Sequence, residues 1–281
     1  MKKYMLSGFA DEIDPMMSKQ YELLHRLGIS YIELRGVNGK NISELEESEV
    51  RSLKSELDSE GIKISAIGSP VGKIKITDSF DEHFEMFKKL LSFARILETR
   101  YIRIFSFYMD GDYETHRDEV FRRTSAFIEA AEKEGIVLLH ENEKGIYGDT
   151  YERCAELMER FYGDNFKCTF DFANFVQCGS DTVKAYEALK PYIEYIHIKD
   201  ALKDGGHVVP PGMGDGNLKP ILDSVFESGY CGFLSLEPHL SHFHGLDALE
   251  NGEIDKKEKI PGEVAFKTAY DALMSLLNQN T

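Results

Sequence analysis

Eight times in succession, a short run of β-forming residues gives way to a longer stretch with helical character, and nothing interrupts the rhythm. Residues 4–10, 30–37, 62–70, 101–108, 136–143, 166–175, 192–201 and 232–240 are the expected strands. Helices are expected at 15–27, 43–60, 79–99, 115–134, 150–162, 181–189 and 217–228, with a last one opening near Gly262. Gly28, Gly61, Gly135 and Gly163 follow their helices, where a left-handed terminator belongs; Ser43, Asp181 and Asn217 stand at N-cap positions. A helix between consecutive strands carries the chain back to the same end, so the strands must pair in parallel. Eight such units in 281 residues predict an α/β fold, a closed (β/α)8 TIM barrel, as a single domain spanning 1–281. An open doubly wound sheet is disfavoured, because no GxGxxG turn follows the first run.

Composition excludes several function classes. No apolar run reaches the roughly 18 residues of a membrane span, so no membrane partner is expected. The opening MKKYMLSGFADEID meets acidic residues too early for a secretory signal, which makes the cytoplasm the expected compartment. Cys154, Cys168, Cys178 and Cys231 form no CxxC pair and read as free thiols. A formal net charge of −16 repels phosphate backbones, so nucleic acid is not an expected partner. A small molecule is, with homo-oligomer formation left open.

A parallel barrel delivers every strand's C-terminal end to one face, and residues alternate between its interior and the helix layer. In 136–143 that alternation sets Leu138 and His140 on one side, and Val137, Leu139, Glu141 and Glu143 on the other. In 166–175 it opposes Phe170 and Phe172 to Thr169 and Asp171. In 192–201 it leaves Tyr195, His197 and Lys199 inward, and in 232–240 Phe233, Ser235, Glu237 and His239. Four consecutive strands therefore offer Glu141, Asp171, His197 and Glu237 at similar heights. Three converging carboxylates would repel one another and take up protons. A divalent metal ion resolves that conflict. Carboxylate oxygens with one imidazole suit Mn2+, the leading expectation, or Mg2+ or Co2+, and are compatible with Zn2+.

On these residues the chain resembles the xylose-isomerase-like barrel superfamily. The likeness rests on Glu141 in LLHENE, Asp171 in TFDFANF, His197 in YIHIKDA, Glu237 in LSLEPHL and the PGMGDGN segment at 211–217, and it spans essentially the whole chain. It implies that the four strand-end residues hold one divalent ion. It also implies that Glu141 and Glu237 are an acid–base pair that moves a carbon-bound proton through an enediolate. The implied activity is that of an isomerase or epimerase of a small sugar or related polyhydroxy ketone. The alternative, from inosose dehydratases of the same group, is a lyase on the same metal site.

Two departures bear on the substrate. Many members of that group carry a histidine three residues after the aspartate, where Asn174 stands here. Their epimerases place an arginine six residues after the metal-binding histidine; here the position is Lys203, with His207 nearby. Asn174, Lys203 and His207, with the inward-facing Lys199 and His239, make up the expected substrate-binding set. Endonuclease relatives need further His and Asp ligands on the third and fourth strands and before the glycine segment. Ser65, Ile67, Ser69, Phe105 and Phe107 hold the expected inward positions instead, and the chain before the glycines reads DGGHVVPP. Elsewhere, Arg103 is expected to pair with Glu33 inside the barrel, and His140 to brace its strand from behind. Lys144 and Tyr147 fall in the loop expected to cover the site, while His242 and His244 belong to a solvent-exposed loop.

Overall fold

The eightfold alternation is realised as eight parallel strands with helices between them. The strands are β1 (Met5–Gly8), β2 (Tyr31–Leu34), β3 (Lys63–Gly68), β4 (Tyr101–Ile104), β5 (Val137–Glu141), β6 (Phe166–Asp171), β7 (Ile193–Ile198) and β8 (Phe233–Leu236). The helices are α1 (Met17–Leu27), α2 (Glu47–Glu60), α3 (Phe80–Ile96), α4 (Tyr113–Lys133), α5 (Tyr151–Phe161), α6 (Thr182–Leu189), α7 (Leu218–Glu227) and α8 (Gly262–Asn278). The structure, a computed structural model, describes residues 4–241 and 260–278. The expectation for His242 and His244 lies outside them. Among the described residues, no helix is long and apolar enough to cross a membrane.

Hydrogen-bonded order runs β1-β8-β7-β6-β5-β4-β3-β2, every pair parallel, and β1 packs beside β2 to bring the sheet nearly to closure. This is a TIM barrel. Its main core lies between strands and helices, where Ile196, Ile198, Leu234 and Leu236 meet the helix layer. Phe127 of α4 shows how tightly that layer is tied to the barrel, since its ring packs on Phe80, Phe84, Phe87 and Phe107. Burying one such side chain stabilises the fold by roughly 1.5–3 kcal/mol. A smaller cluster (Ala66, Tyr101, Val137, Leu139, Tyr195, Phe233) fills the barrel floor below the polar strand ends.

Local backbone features move three expected positions. The β2–β3 ladder shifts register between Ile32 and Glu33, opposite Ile64 and Ala66. Beyond that bulge the alternation of β3 changes phase. Ile67 therefore joins the helix-facing core, and Gly68 faces the interior, where a Cβ would meet Phe9 and Arg103. Phe107 adopts a φ of 66° and turns its ring onto Phe127 instead of inward. Ser43 does not cap α2: Ile42–Glu44 form a 3-10 turn capped by Asn41, and α2 begins after Glu46. Asp181 does cap α6, its carboxylate accepting from the amides of Val183 and Lys184.

Candidate active site

Strand ends deliver four ligand-bearing side chains to one point. β5 ends on Glu141 and β6 on Asp171, His197 is the penultimate residue of β7, and Glu237 directly follows β8. One ligand atom from each lies within 4.8 Å of the others, and all four residues are buried. The ladders account for the common height, since Ser235 pairs with His197 and His197 with Asp171.

His197 is the hub. Its Nδ1 lies 3.0 Å from Oε1 of Glu141, 3.6 Å from Oε2 of Glu237 and 3.9 Å from Oδ2 of Asp171. Its Nε2 faces Glu33, 3.1 Å from Oε2 and 3.2 Å from Oε1. Burial alone would lower the imidazole pKa, but Glu33 and Glu141 reverse that and hold it well above the usual range. Metal binding would therefore displace a proton from Nδ1.

Both glutamates divide their oxygens between the cluster and an arginine. Glu141 turns Oε1 to His197 and to Nδ2 of Asn174 (3.2 Å), while Oε2 accepts from Nη1 of Arg103 at 2.9 Å. Glu237 turns Oε2 to Nζ of Lys199 (3.1 Å), while Oε1 faces Nη1 of Arg35 and Nε2 of His239, each at 3.3 Å. Burial pushes the Glu141 carboxyl up, yet His197 and Arg103 outweigh it and bring it to about 2. Burial likewise opposes ionisation of Glu237, and Lys199 and His239 hold that carboxyl well below the ordinary range. The two guanidinium carbons lie 4.4 Å (Arg35) and 5.4 Å (Arg103) from the ring centre of Phe9, just beyond β1.

Asp171 is left partly unsatisfied. It caps the short helix Phe172–Gln177, with Oδ1 accepting from the Asn174 amide at 2.7 Å. Oδ2 is buried and accepts no hydrogen bond among the described residues, although Nζ of Lys199 stands 3.3 Å away. Burial pushes this carboxyl up to about 7; Lys199 opposes the rise, and Glu237 and Glu141 add to it. An orphaned oxygen beside an imidazole nitrogen and two glutamate oxygens fits a divalent ion on chemical grounds. The group is able to hold a metal.

Other expected site residues are distributed unevenly. Lys199 and His239 border the cluster, and Asn174 touches it, although its amide is engaged by Glu141 and by the Asn142 carbonyl at 2.8 Å. Lys203 and His207 lie exposed on the turn between Asp200–Ala201 and Val208–Val209. No contact among the described residues joins Lys203 to the cluster. His140 faces away from the interior, 3.0 Å from Oγ of Ser106, and burial takes its pKa down to about 4 despite neighbouring Glu141. Tyr147 does not cover the site: it is buried against Phe121 and bonded to Glu156. Glu143 stands at the rim, paired with Lys73 at 3.0 Å.

Two pairings were not anticipated. Arg103 pairs with Glu141, not with Glu33, and Glu33 instead backs His197. Arg35 grips Asp11 and Glu12 as well as Glu237. The signal for the latter was the acidic pair directly after the first strand, on the turn Ala10–Glu12. Glu12, Glu237 and His239 form a second close group of ligand atoms sharing one residue with the first.

The glycine segment has an internal partner. The buried Asp200 carboxylate accepts from the amides of Ala201, Gly212, Gly214 and Gly216, each at 2.9 Å. A Cβ on Gly216 would come within 2.7 Å of Oδ1 of Asp200, and one on Gly214 would collide with that same oxygen. PGMGDGN thus closes on the protein's own carboxylate.

Comparison with known proteins agrees with this architecture. A family model described as xylose isomerase-like TIM barrel matches residues 21–260. A 3-dehydroshikimate dehydratase from Bacillus anthracis is 26% identical over 191 residues, which cover 66% of this chain and 66% of that protein, just under two thirds of its length. An L-ribulose 3-epimerase structure superposes with a TM-score of 0.77 at 15% identity, covering 98% of this chain and 95% of that one. The structure of an IOLI protein with a bound zinc atom gives a TM-score of 0.75 at 18% identity, covering 98% of each chain.

Proposed function

The chain belongs to the xylose isomerase-like TIM barrel family, and from that premise we propose that it is a divalent-metal-dependent isomerase or epimerase of a small sugar or related polyhydroxy ketone. The observation that carries this reading is the division of oxygens at Glu141 and Glu237, one toward the cluster and one toward an arginine. Glu141, Asp171, His197 and Glu237 would hold one ion. Mn2+ suits three carboxylates and one imidazole, and the zinc of the IOLI protein keeps Zn2+ in the set. When bound, the ion polarises a substrate carbonyl and its neighbouring hydroxyl and so acidifies the adjacent C–H bond.

The protein's own groups then move the proton. Both glutamates are kept ionised by adjacent cations, the state a general base must occupy. One takes the carbon-bound proton, leaving an enediolate. The other must take up a proton before it can return one, and at Glu237 the adjacent Lys199 ammonium or His239 imidazolium can supply it; delivery to the opposite face epimerises, and delivery to the next carbon isomerises. Arg103 and Arg35 fix which oxygen each glutamate presents, and their charge favours the developing anion. Lys199 and His239 are the substrate contacts this arrangement favours, with Asn174 orienting Glu141. Lys203 and His207 would reach only a substrate that extends to the rim.

A second reading, dehydration at the same site, is favoured by Lys199, whose Nζ lies 3.3 Å from Asp171 and 3.1 Å from Glu237. That ammonium could give a proton to a departing β-hydroxyl, and the Bacillus anthracis relative is a dehydratase. Incubating ketoses, inososes, hydroxypyruvate and 3-dehydroshikimate in deuterated water with the metal-loaded protein tests both. Isomerase or epimerase action incorporates deuterium into a rearranged product, whereas dehydration yields an unsaturated one. Glu141→Gln and Glu237→Gln should each slow exchange by roughly 100–10,000-fold. Full exchange in either variant contradicts a two-glutamate mechanism.

A further inference from the structure

Glu33 poses a problem that the catalytic scheme does not resolve. It lies inside the barrel on β2, is 0% exposed, and touches no lysine or arginine among the described residues. A carboxylate buried in this way is costly unless something specific receives it. Two groups do. Ser235 donates its hydroxyl to Oε2 at 2.7 Å, and Nε2 of His197 lies 3.1 Å from Oε2 and 3.2 Å from Oε1. The near-equal distances place that nitrogen between the two carboxylate oxygens. The opposite ring nitrogen, Nδ1, is the one that faces Glu141, Asp171 and Glu237.

An imidazole that ligates a cation uses the lone pair of one nitrogen and must carry its proton on the other. A buried carboxylate behind the protonated nitrogen fixes the tautomer, stops ring rotation and raises the basicity of the ligating nitrogen. We propose that Glu33 is the positioning residue of the metal centre, accepting Nε2–H of His197 so that Nδ1 is presented to the ion. Rotation of the ring by half a turn would put Cδ2 where Nδ1 stands and Cε1 where Nε2 stands, so that both the cluster and Glu33 would face carbon. The hydroxyl of Ser235 holds Glu33 at the right level, because Ser235 is the ladder partner of His197 on the neighbouring strand. This inference rests on the metal reading above.

Co2+ is a suitable probe, since its absorption reports binding and its unpaired electrons shift nearby protons out of the crowded NMR region. Wild-type protein should bind one Co2+ and show a strongly shifted, exchange-protected imidazole N–H assigned to Nε2 of His197. Glu33→Gln should raise the Co2+ dissociation constant by roughly 10–100-fold and move or abolish that resonance, with the circular dichroism of the metal-free protein unchanged. Glu33→Gln affinity within twofold of wild type overturns the proposal. So does ligation through Nε2 in the wild type, a result that requires no variant to fold. If the wild type binds no divalent ion at all, the metal reading itself fails and this inference falls with it. A wild type that binds normally beside an unaffected variant defeats only the role of Glu33.

Discussion

Asp171 and Asp200 stand at the ends of adjacent strands, are both fully buried, and have carboxyls pushed upward by burial. Their partners differ completely. Asp200 receives four backbone amides and closes a glycine loop around itself. Asp171 receives one amide on Oδ1 and none on Oδ2, which points among an imidazole and two other carboxylates. The first is a finished structural joint; the second has one oxygen without a hydrogen bond, facing the Lys199 ammonium and a cluster able to hold a metal. A raised carboxyl pKa is therefore common to both aspartates, and it is the count of satisfied oxygens that separates them.

Exchanging each aspartate for asparagine should separate the two roles. Asp171→Asn should weaken divalent-metal affinity by more than about 100-fold, beyond the usual effect of altering an outer partner, and abolish turnover. Its metal-free form should melt no lower than wild type, because asparagine caps a helix as well as aspartate does and a repelled charge is removed. Asp200→Asn should do the reverse, costing about 2–3 kcal/mol in urea unfolding while metal affinity stays close to wild type. If Asp200→Asn lost metal and kept its stability, the contrast would collapse. Gly214→Ala should act like Asp200→Asn, costing about 1–3 kcal/mol, since the new methyl would meet both the Asp200 carboxylate and the backbone carbonyl oxygen of Ala201.

The smallest effect concerns pH. Asp171 has a folded-state pKa near 7, above that of an unfolded aspartate. Between those values the folded state holds the extra proton, so stability conferred by this group is complete at the acid end and lost as pH rises toward 7. Metal-free unfolding free energy measured from pH 4 to 7 in a chelator should therefore fall less steeply in Asp171→Asn than in wild type. Equal slopes would mean that Asp171 is better compensated than its single amide suggests.

Much of this was legible in the sequence, for reasons that also mark the limit. Strand and helix periods are local, so eight units, parallel pairing and the inward placement of Glu141, His197 and Glu237 follow from alternation alone. Alternation fails where the backbone inserts a residue: the irregularity beside Glu33 reverses Ile67 and Gly68, and the left-handed Phe107 turns its ring outward. Contacts across the barrel have no period at all. The sequence thus points Arg103 to Glu33, although strand heights bring it to Glu141 and leave Glu33 under His197. The acidic turn at Asp11 and Glu12 carries no such periodic signal, because a 3-10 turn has no repeating face to read.

Anomalous diffraction from a crystal soaked in Mn2+ addresses the metal assignment. One peak is expected, within coordinating distance of Glu141, Asp171, Glu237 and Nδ1 of His197, and it should vanish in Asp171→Asn. A peak held instead by Glu12 and His239, or the absence of any peak in the barrel mouth, would contradict the assignment.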